Sequence, residues 1–387
     1  MKEFKANLGR GIEALEKWII SQEFAGYDPY DALNSPLIQS LSFNHPLLKL
    51  AFTQGVKQFP VNLRSILRVP KSENQKALGL MLMGFLKRHA LTGDDEYMKL
   101  ANKMITRLEA LKSQGYHGDC WGFHFDWQNR SYCFPKYTPT LVNTAFVIDG
   151  YLDAYEKTAD QALLHAARRA CLFALQDLHI SKMKEGICFS YTPMDRGQVH
   201  NANLLGARML ARVYSYTGDR ELAKTAKDAM NYTVSRQYDE GFWMYGEIDI
   251  QQYIDNFHTG YVLECLHDTM KYLKDWSHLN ALEKGLDYYA HHLFQDGMPK
   301  YFHNRLYPVD IHNIQALITL VKCAHVRDHR ELAIETAAWY LNHMQSSKGY
   351  FYFRKYQFYM NRTPFIRWGQ AWAYHSLTTL QHFIEAG

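Results

Sequence analysis

Residues 200–236 read HNANLLGARMLARVYSYTGDRELAKTAKDAMNYTVSR. From Leu204 to Tyr214 the chain is apolar nearly all round, as a helix covered on both sides must be. Thr217-Gly218-Asp219 then breaks it, and Asp219 suits a helix N-cap because its carboxylate accepts orphan backbone N–H bonds. After the break Leu222, Ala226, Ala229, Met230 and Thr233 fall on one helical face. Glu221, Lys224, Lys227, Asp228 and Asn231 fall on the other. The stretch is one α-hairpin with an inner, doubly covered helix and an outer, amphipathic one.

The same unit recurs along the chain. Gly122-Phe123, Gly186-Ile187, Gly241-Phe242, Gly297-Met298 and Gly349-Tyr350 stand 52 to 64 residues apart. A polar and aromatic stretch follows each, then an apolar segment. Further breaks fall at Thr92-Gly93-Asp94, Thr158-Ala159-Asp160 and Arg327-Asp328. Inner helices are expected near 73–91, 140–157, 200–216, 256–273, 311–326 and 365–384. Outer ones are expected near 95–113, 160–178, 220–236, 278–294 and 329–345. The missing sixth outer helix is N-terminal, where Phe4, Leu8, Ile12, Leu15 and Ile19 form an apolar stripe. Closing the ring removes the exposed ends of an open solenoid. The expected fold is therefore all-α, an (α/α)6 toroid. An open stack of the tetratricopeptide kind has too short a period. Residues 1–387 are read as one toroid domain, with 21–70 as a structured insert.

Composition narrows the partners. The 387 residues are 47% apolar and 21% charged, with a net charge of +4 and no Lys/Arg block, so nucleic acid is not an expected partner. No apolar run reaches the ~20 residues that span a bilayer, and the N-terminus lacks a signal-peptide core. A cytoplasmic protein without transmembrane segments is expected. None of the six cysteines forms a C-x-x-C pair or shows zinc spacing, and neither metal nor cofactor is expected. The 14% aromatic content, with 27 Tyr and 8 Trp, together with 19 His, suits a site where sugar rings stack on aromatic faces.

In such a ring the loops before the inner helices gather at one mouth, where helix N-termini present free N–H groups. Those loops and first turns carry Asp195, His200, Asn201, Asn203, Tyr245, Glu247, Asp255, His258, His312, Arg367, Trp368, Gln370 and Trp372. Asp255 and His258 lie three apart on one helical face, an arrangement that suits general acid–base chemistry. A carboxyl raised by burial could protonate a glycosidic oxygen. The Arg367 fork could hold a carboxylate. Each also has a structural reading: Asp255 as an N-cap, the histidines as hydrogen-bonders of the repeat, Arg367 as partner of an internal acid, the aromatics as core.

GYDPYD at 26–31, NLR at 62–64, HNAN at 200–203, IDNFHTGYVLE at 254–264 and RWGQAW at 367–372 together resemble a VpsJ-like group of bacterial and archaeal proteins encoded with exopolysaccharide biosynthesis genes. RWGQAWA is also similar to the WARGQAW segment of unsaturated glucuronyl hydrolases, which are (α/α)6 toroids. There an arginine helps hold a uronic acid; here Trp368 stands in its place and Arg367 one position earlier. Asp255 matches their catalytic aspartate by location only. Glucuronyl C5-epimerases resemble the chain more distantly, in architecture and a Tyr-rich site.

The resulting expectation is a glycosidase-, lyase- or epimerase-like enzyme acting on a glycan or sugar intermediate of exopolysaccharide synthesis, a uronic acid among the candidates. Asp255 would be acid/base, with His258 and His200 as proton-transfer partners. Arg367 and Gln370 would hold substrate, and Tyr245, Trp368 and Trp372 would form a stacking wall. Asn201, Asn203, Asp195, Glu247 and His312 would line the site. Other polysaccharide-biosynthesis proteins are conceivable partners. The alternative is a non-catalytic glycan-binding or scaffold protein. A terpenoid-cyclase-like toroid ranks last, because no D-D-x-x-D run appears.

Overall fold

The computed structural model describes residues 1–128 and 133–386. Helix α1 (Lys2–Ser21) leads into two short helices, α2 (Pro36–Leu41) and α3 (Pro46–Gln58). Five helical hairpins follow: α4 (Gln75–Thr92) with α5 (Glu96–Ala110), α6 (Leu141–Thr158) with α7 (Gln161–Gln176), α8 (His200–Thr217) with α9 (Arg220–Val234), α10 (Asn256–Leu273) with α11 (Leu279–His292), and α12 (Ala316–Lys322) with α13 (Arg330–His343). Helix α14 (Ala371–Ala386) ends the chain. A 3-10 segment, Ile311–Gln315, opens α12, and a π-helical turn, Ile366–Gln370, opens α14.

Inner helices α4, α6, α8, α10, α12 and α14 each touch the next, and α14 returns to α4. The toroid is closed. Helix α1 packs on α13 and α14 through Leu8, Ile12, Leu15 and Ile19, and so is the sixth outer helix. The break aspartates work as their chemistry demands: Asp94, Asp160, Asp219 and Asp328 each accept the N–H of the residue two further on, in the first turn of an outer helix.

The ring interior is not uniformly apolar. Three rings close its middle: Phe146, Tyr261 and Trp372, with centroids 5.1 to 5.6 Å apart. Below this aromatic plug lies a cavity of about 620 Å³ lined by ions. There Arg208 pairs with Asp149 and Glu264, Arg212 with Asp153 and Glu156, and Lys322 with Glu264 and Asp268. The segment that reads as apolar nearly all round thus carries two buried arginines, Arg208 and Arg212. They are tolerated because each meets carboxylates from neighbouring inner helices.

Residues 22–74 fold over the mouth. Gly26 pairs with Ser72 through both backbone groups, and Tyr27 accepts the Ile366 N–H at 3.0 Å. Arg64 donates to Asp31 at 2.6 Å and to the Asp28 carbonyl at 2.8 Å. Arg367 then clasps the Asp28 carboxylate with Nε and Nη2, at 2.5 and 2.8 Å. The segments 26–31, 62–64 and 367–372, far apart in sequence, form one buried clasp between the insert and the ring.

Candidate active site

Above the plug, at the N-terminal ends of the inner helices, lies a cavity of about 240 Å³. Its plan follows from helix geometry. The second residue of each inner-helix segment lines it: Lys76, Val142, Asn201, Phe257, His312 and Arg367. Successive helical residues are rotated by about 100°, so a residue one place earlier points elsewhere. His200 and Asn256, both first residues, accordingly face the outer layer. Tyr30, Tyr191, Tyr245, Tyr253, Tyr301 and Trp368 complete much of the wall.

Asp255 is the single acid lining the cavity among the described residues. It caps α10: Oδ1 accepts the His258 backbone N–H at 2.9 Å, and Oδ2 faces His258 Nδ1 at 2.8 Å. A carboxylate can only accept, so Nδ1 carries a proton, and in the neutral imidazole the lone pair is on Nε2. Asp255 has a side-chain exposure of 1%, against 20% for His258. The pair therefore offers the cavity an oriented imidazole, with both carboxylate oxygens engaged behind it. Asp255 thus caps α10 and orients His258 at once, and His258 is the more exposed of the two.

His312 belongs to a second couple. Its Nδ1–H donates to the Trp368 carbonyl at 3.1 Å, so Nε2 accepts the Tyr261 hydroxyl at 2.6 Å. Burial, reinforced by Lys76 and Arg367, holds the imidazole well below its usual pKa, and it is neutral. Burial pushes the Tyr261 phenol well up. The Tyr261 ring lies 6.2 Å from each of His258 and His312.

Lys76 went unread in the sequence. It is 3% exposed, and Nζ sits 4.3, 4.9 and 5.2 Å from the ring centres of Phe146, Trp372 and Tyr261. Among the described residues, no carboxylate pairs with it. Burial, then repulsion from Arg367, holds its pKa well below the usual lysine range.

The other expected site residues divide in two. Asn201, Tyr245 and Trp368 line the cavity with Asp255, His258, His312 and Arg367. Asn201 Oδ1 is buried without a partner. Tyr245 stacks on Tyr253 at 5.0 Å, and Trp368 Nε1 donates to Asp310 at 2.8 Å. Arg367 is at the wall, but Nε and Nη2 are held by Asp28, leaving Nη1.

His200, Asn203, Asp195, Glu247, Gln370 and Trp372 do not line this cavity. His200 Nε2 pairs with Glu247 at 3.0 Å in a separate depression beside Arg236 and Gln237. The hydrogen bond from His200 holds the Glu247 carboxyl below its usual pKa. Asn203 ties the Phe189 N–H to the Ala229 carbonyl, and Asp195 closes its own turn through Thr192 and Gly197. Gln370 bonds both backbone groups of Phe351. Trp372 lies within the plug. Among the described residues, no group of three or more His, Cys, Asp or Glu side chains could hold a metal. Likewise, no described helix is long and apolar enough to cross a membrane.

No protein-family model matches the chain, and no curated protein sequence matches it. Solved structures share its fold. A cellobiose 2-epimerase from Bacillus thermoamylovorans superposes with a TM-score of 0.62 at 13% identity, covering 83% of this chain and 90% of that one. A D-mannose isomerase gives 0.61 at 12% identity, covering 81% and 88%. An unsaturated glucuronyl hydrolase specific for heparin gives 0.62 at 12% identity, covering 82% and 88%. At these identities the likeness is one of fold, the (α/α)6 toroid.

Proposed function

We propose that this chain is a carbohydrate-active enzyme of the epimerase or isomerase type, which moves a proton at the carbon beside the carbonyl of an open-chain sugar. The observation that carries the reading is the Asp255–His258 pair, at the wall of an aromatic cavity that no second carboxylate lines among the described residues. Glycoside hydrolysis in its usual form needs two carboxyl groups flanking the bond. Proton abstraction needs one oriented base and a partner to return the proton. His258 Nε2 takes the C2 proton, and the electron pair moves onto the carbonyl oxygen to give an enediolate. Arg367 Nη1 and Lys76 Nζ are the nitrogen donors placed to steady that oxygen. The Tyr261 hydroxyl, held by His312, gives a proton to C2 on the opposite face and the C1 carbonyl re-forms as the epimer; the proton gained by His258 and the one lost by Tyr261 exchange with water before the next turnover. Return of the His258 proton to C1, with the O2 proton passing to O1, gives the ketose.

A neutral sugar fits better than a uronic acid. Two nitrogens of Arg367 are already on Asp28, and burial biases Lys76 toward its uncharged form. Trp368, Tyr245 and Phe257 supply faces for the sugar ring. Cellobiose 2-epimerase and D-mannose isomerase share this fold, which supports the reading by analogy. We further propose, on the resemblance of its motifs to exopolysaccharide-associated proteins, that the enzyme supplies sugars for such a polymer in the cytoplasm.

The test is incubation with a panel of reducing mono- and disaccharides and uronic acids in D2O, read by NMR. Deuterium at C2 with appearance of an epimer or ketose is expected for a neutral sugar. Binding of a sugar without exchange would favour the non-catalytic binding protein. Release of free sugar from glycosides without exchange would favour hydrolysis.

A further inference from the structure

The mouth of the toroid carries an apolar surface that the proton chemistry does not use. Phe43 is 80% exposed, Leu47 69%, Val61 65%, Ile66 74% and Phe358 90%. Four of these belong to the insert, and Phe358 to the turn before β-segment Met360–Asn361. The two regions are joined: Asn361 Nδ2 donates to the Phe59 carbonyl at 2.9 Å, and Tyr356 donates to Gln58 at 3.1 Å. Two joined segments thus expose five large apolar side chains, more than a soluble surface usually leaves open.

The charge of this surface is one-sided. Residues 32–72 contain Lys49, Lys57, Arg64, Arg68 and Lys71 and no acid; residues 350–362 contain Arg354, Lys355 and Arg362 and no acid. Arg64 and Arg354 are turned inward onto Asp31 and Asp310, and Lys57 is buried against Tyr30. Arg68, Lys71 and Arg362 remain exposed, with Lys49 and Lys355 half-exposed among the apolar side chains. Apolar side chains ringed by cations suit an anionic lipid interface, where the apolar groups enter the headgroup boundary and the cations meet phosphates. A second copy of the chain fits poorly. A two-fold contact would set these acid-free segments against themselves, cation facing cation.

We propose that the mouth face, from α2 through residue 70 together with the 354–361 turn, docks on an anionic bilayer surface. The toroid lies on the membrane without crossing it, its cavity opening toward the lipid headgroups. The proposal is independent of the reaction assigned to the cavity.

The test is co-sedimentation of the full chain with vesicles of phosphatidylcholine alone or with phosphatidylglycerol. Wild type is expected to pellet with the anionic vesicles and to be released as salt rises to about 0.5 M. The exposed double variant Phe43→Ser/Phe358→Ser should keep the melting temperature and bind at least about tenfold more weakly, because it loses the apolar insertion. No partition into anionic vesicles would overturn the proposal, as would equal partition by the variant. So would a wild-type dimer in solution that the double variant dissolves, since the face would then be a self-interface.

Discussion

Removing the Asp28 carboxylate tests the clasp that joins the insert to the ring. Asp28 is fully buried and Arg367 is 5% exposed, and two hydrogen bonds join them. Burial alone would raise the Asp28 pKa, but Arg367 outweighs it and holds the carboxyl below its usual value. Asp28→Asn leaves the guanidinium buried against a neutral amide. Breaking one partner of such a pair costs about 3–5 kcal/mol. With a melting entropy of about 2.1 cal/mol/K per residue, a chain of 387 residues loses about 4–6 °C in Tm. The assay is thermal unfolding by circular dichroism of Asp28→Asn, Arg367→Gln and the double variant. The double variant should lose less than the sum of the singles by about 1–3 kcal/mol, because it leaves no uncompensated charge. An unchanged Tm in Asp28→Asn, or strict additivity, would refute the clasp. In wild type the Asp28 contribution should be lost as pH falls below the ordinary carboxyl value of about 3.8; in Arg367→Gln, where burial acts on Asp28 without its partner, acidification should instead relieve the buried charge.

Three further outcomes follow from the site. Asp255→Asn should lower turnover by about 10²–10⁴-fold, because an amide reverses the hydrogen bond that fixes the His258 tautomer; the accompanying loss of stability should stay near 1 kcal/mol, the usual worth of a cap. Lys76→Met should hold or raise Tm at pH 7, since a buried lysine with a depressed pKa opposes folding as pH falls below its unfolded value; a clear drop in Tm would show that the ammonium is stabilised in its aromatic setting. His124 is buried, and burial brings its pKa down to about 4. Its neutral form is kept in the folded state, so stability is unaffected above about pH 6.5 and falls by about 3 kcal/mol as pH drops to 4; urea titrations of wild type and His124→Gln across that window should separate.

The ring was legible because the hairpins repeat the same physical signals: a capping aspartate in four of the five, an amphipathic outer helix, and an inner helix without a solvent face. The inner helix starts also carried a rule that the sequence reading left unused. The second residue of each turns to the axis. That is why Asn201 is in the cavity while His200 and Asn203, on either side of it, are not. Lys76 holds the equivalent position in α4, but one lysine at a helix start looks like an ordinary surface cation. The Asp28–Arg367 clasp spans 339 positions, and nothing local announces it. The Asp255–His258 spacing was readable as one helical face. Which of the two would meet the substrate depended on the cap geometry, which engages both carboxylate oxygens.

The most direct measurement is deuterium wash-in at C2 by wild type and His258→Asn, on whichever sugar wild type converts. We expect exchange in wild type and a loss of at least about 100-fold in the variant, with Tm unchanged. Exchange that survives in a folded His258→Asn protein would contradict the assignment of His258 as the base.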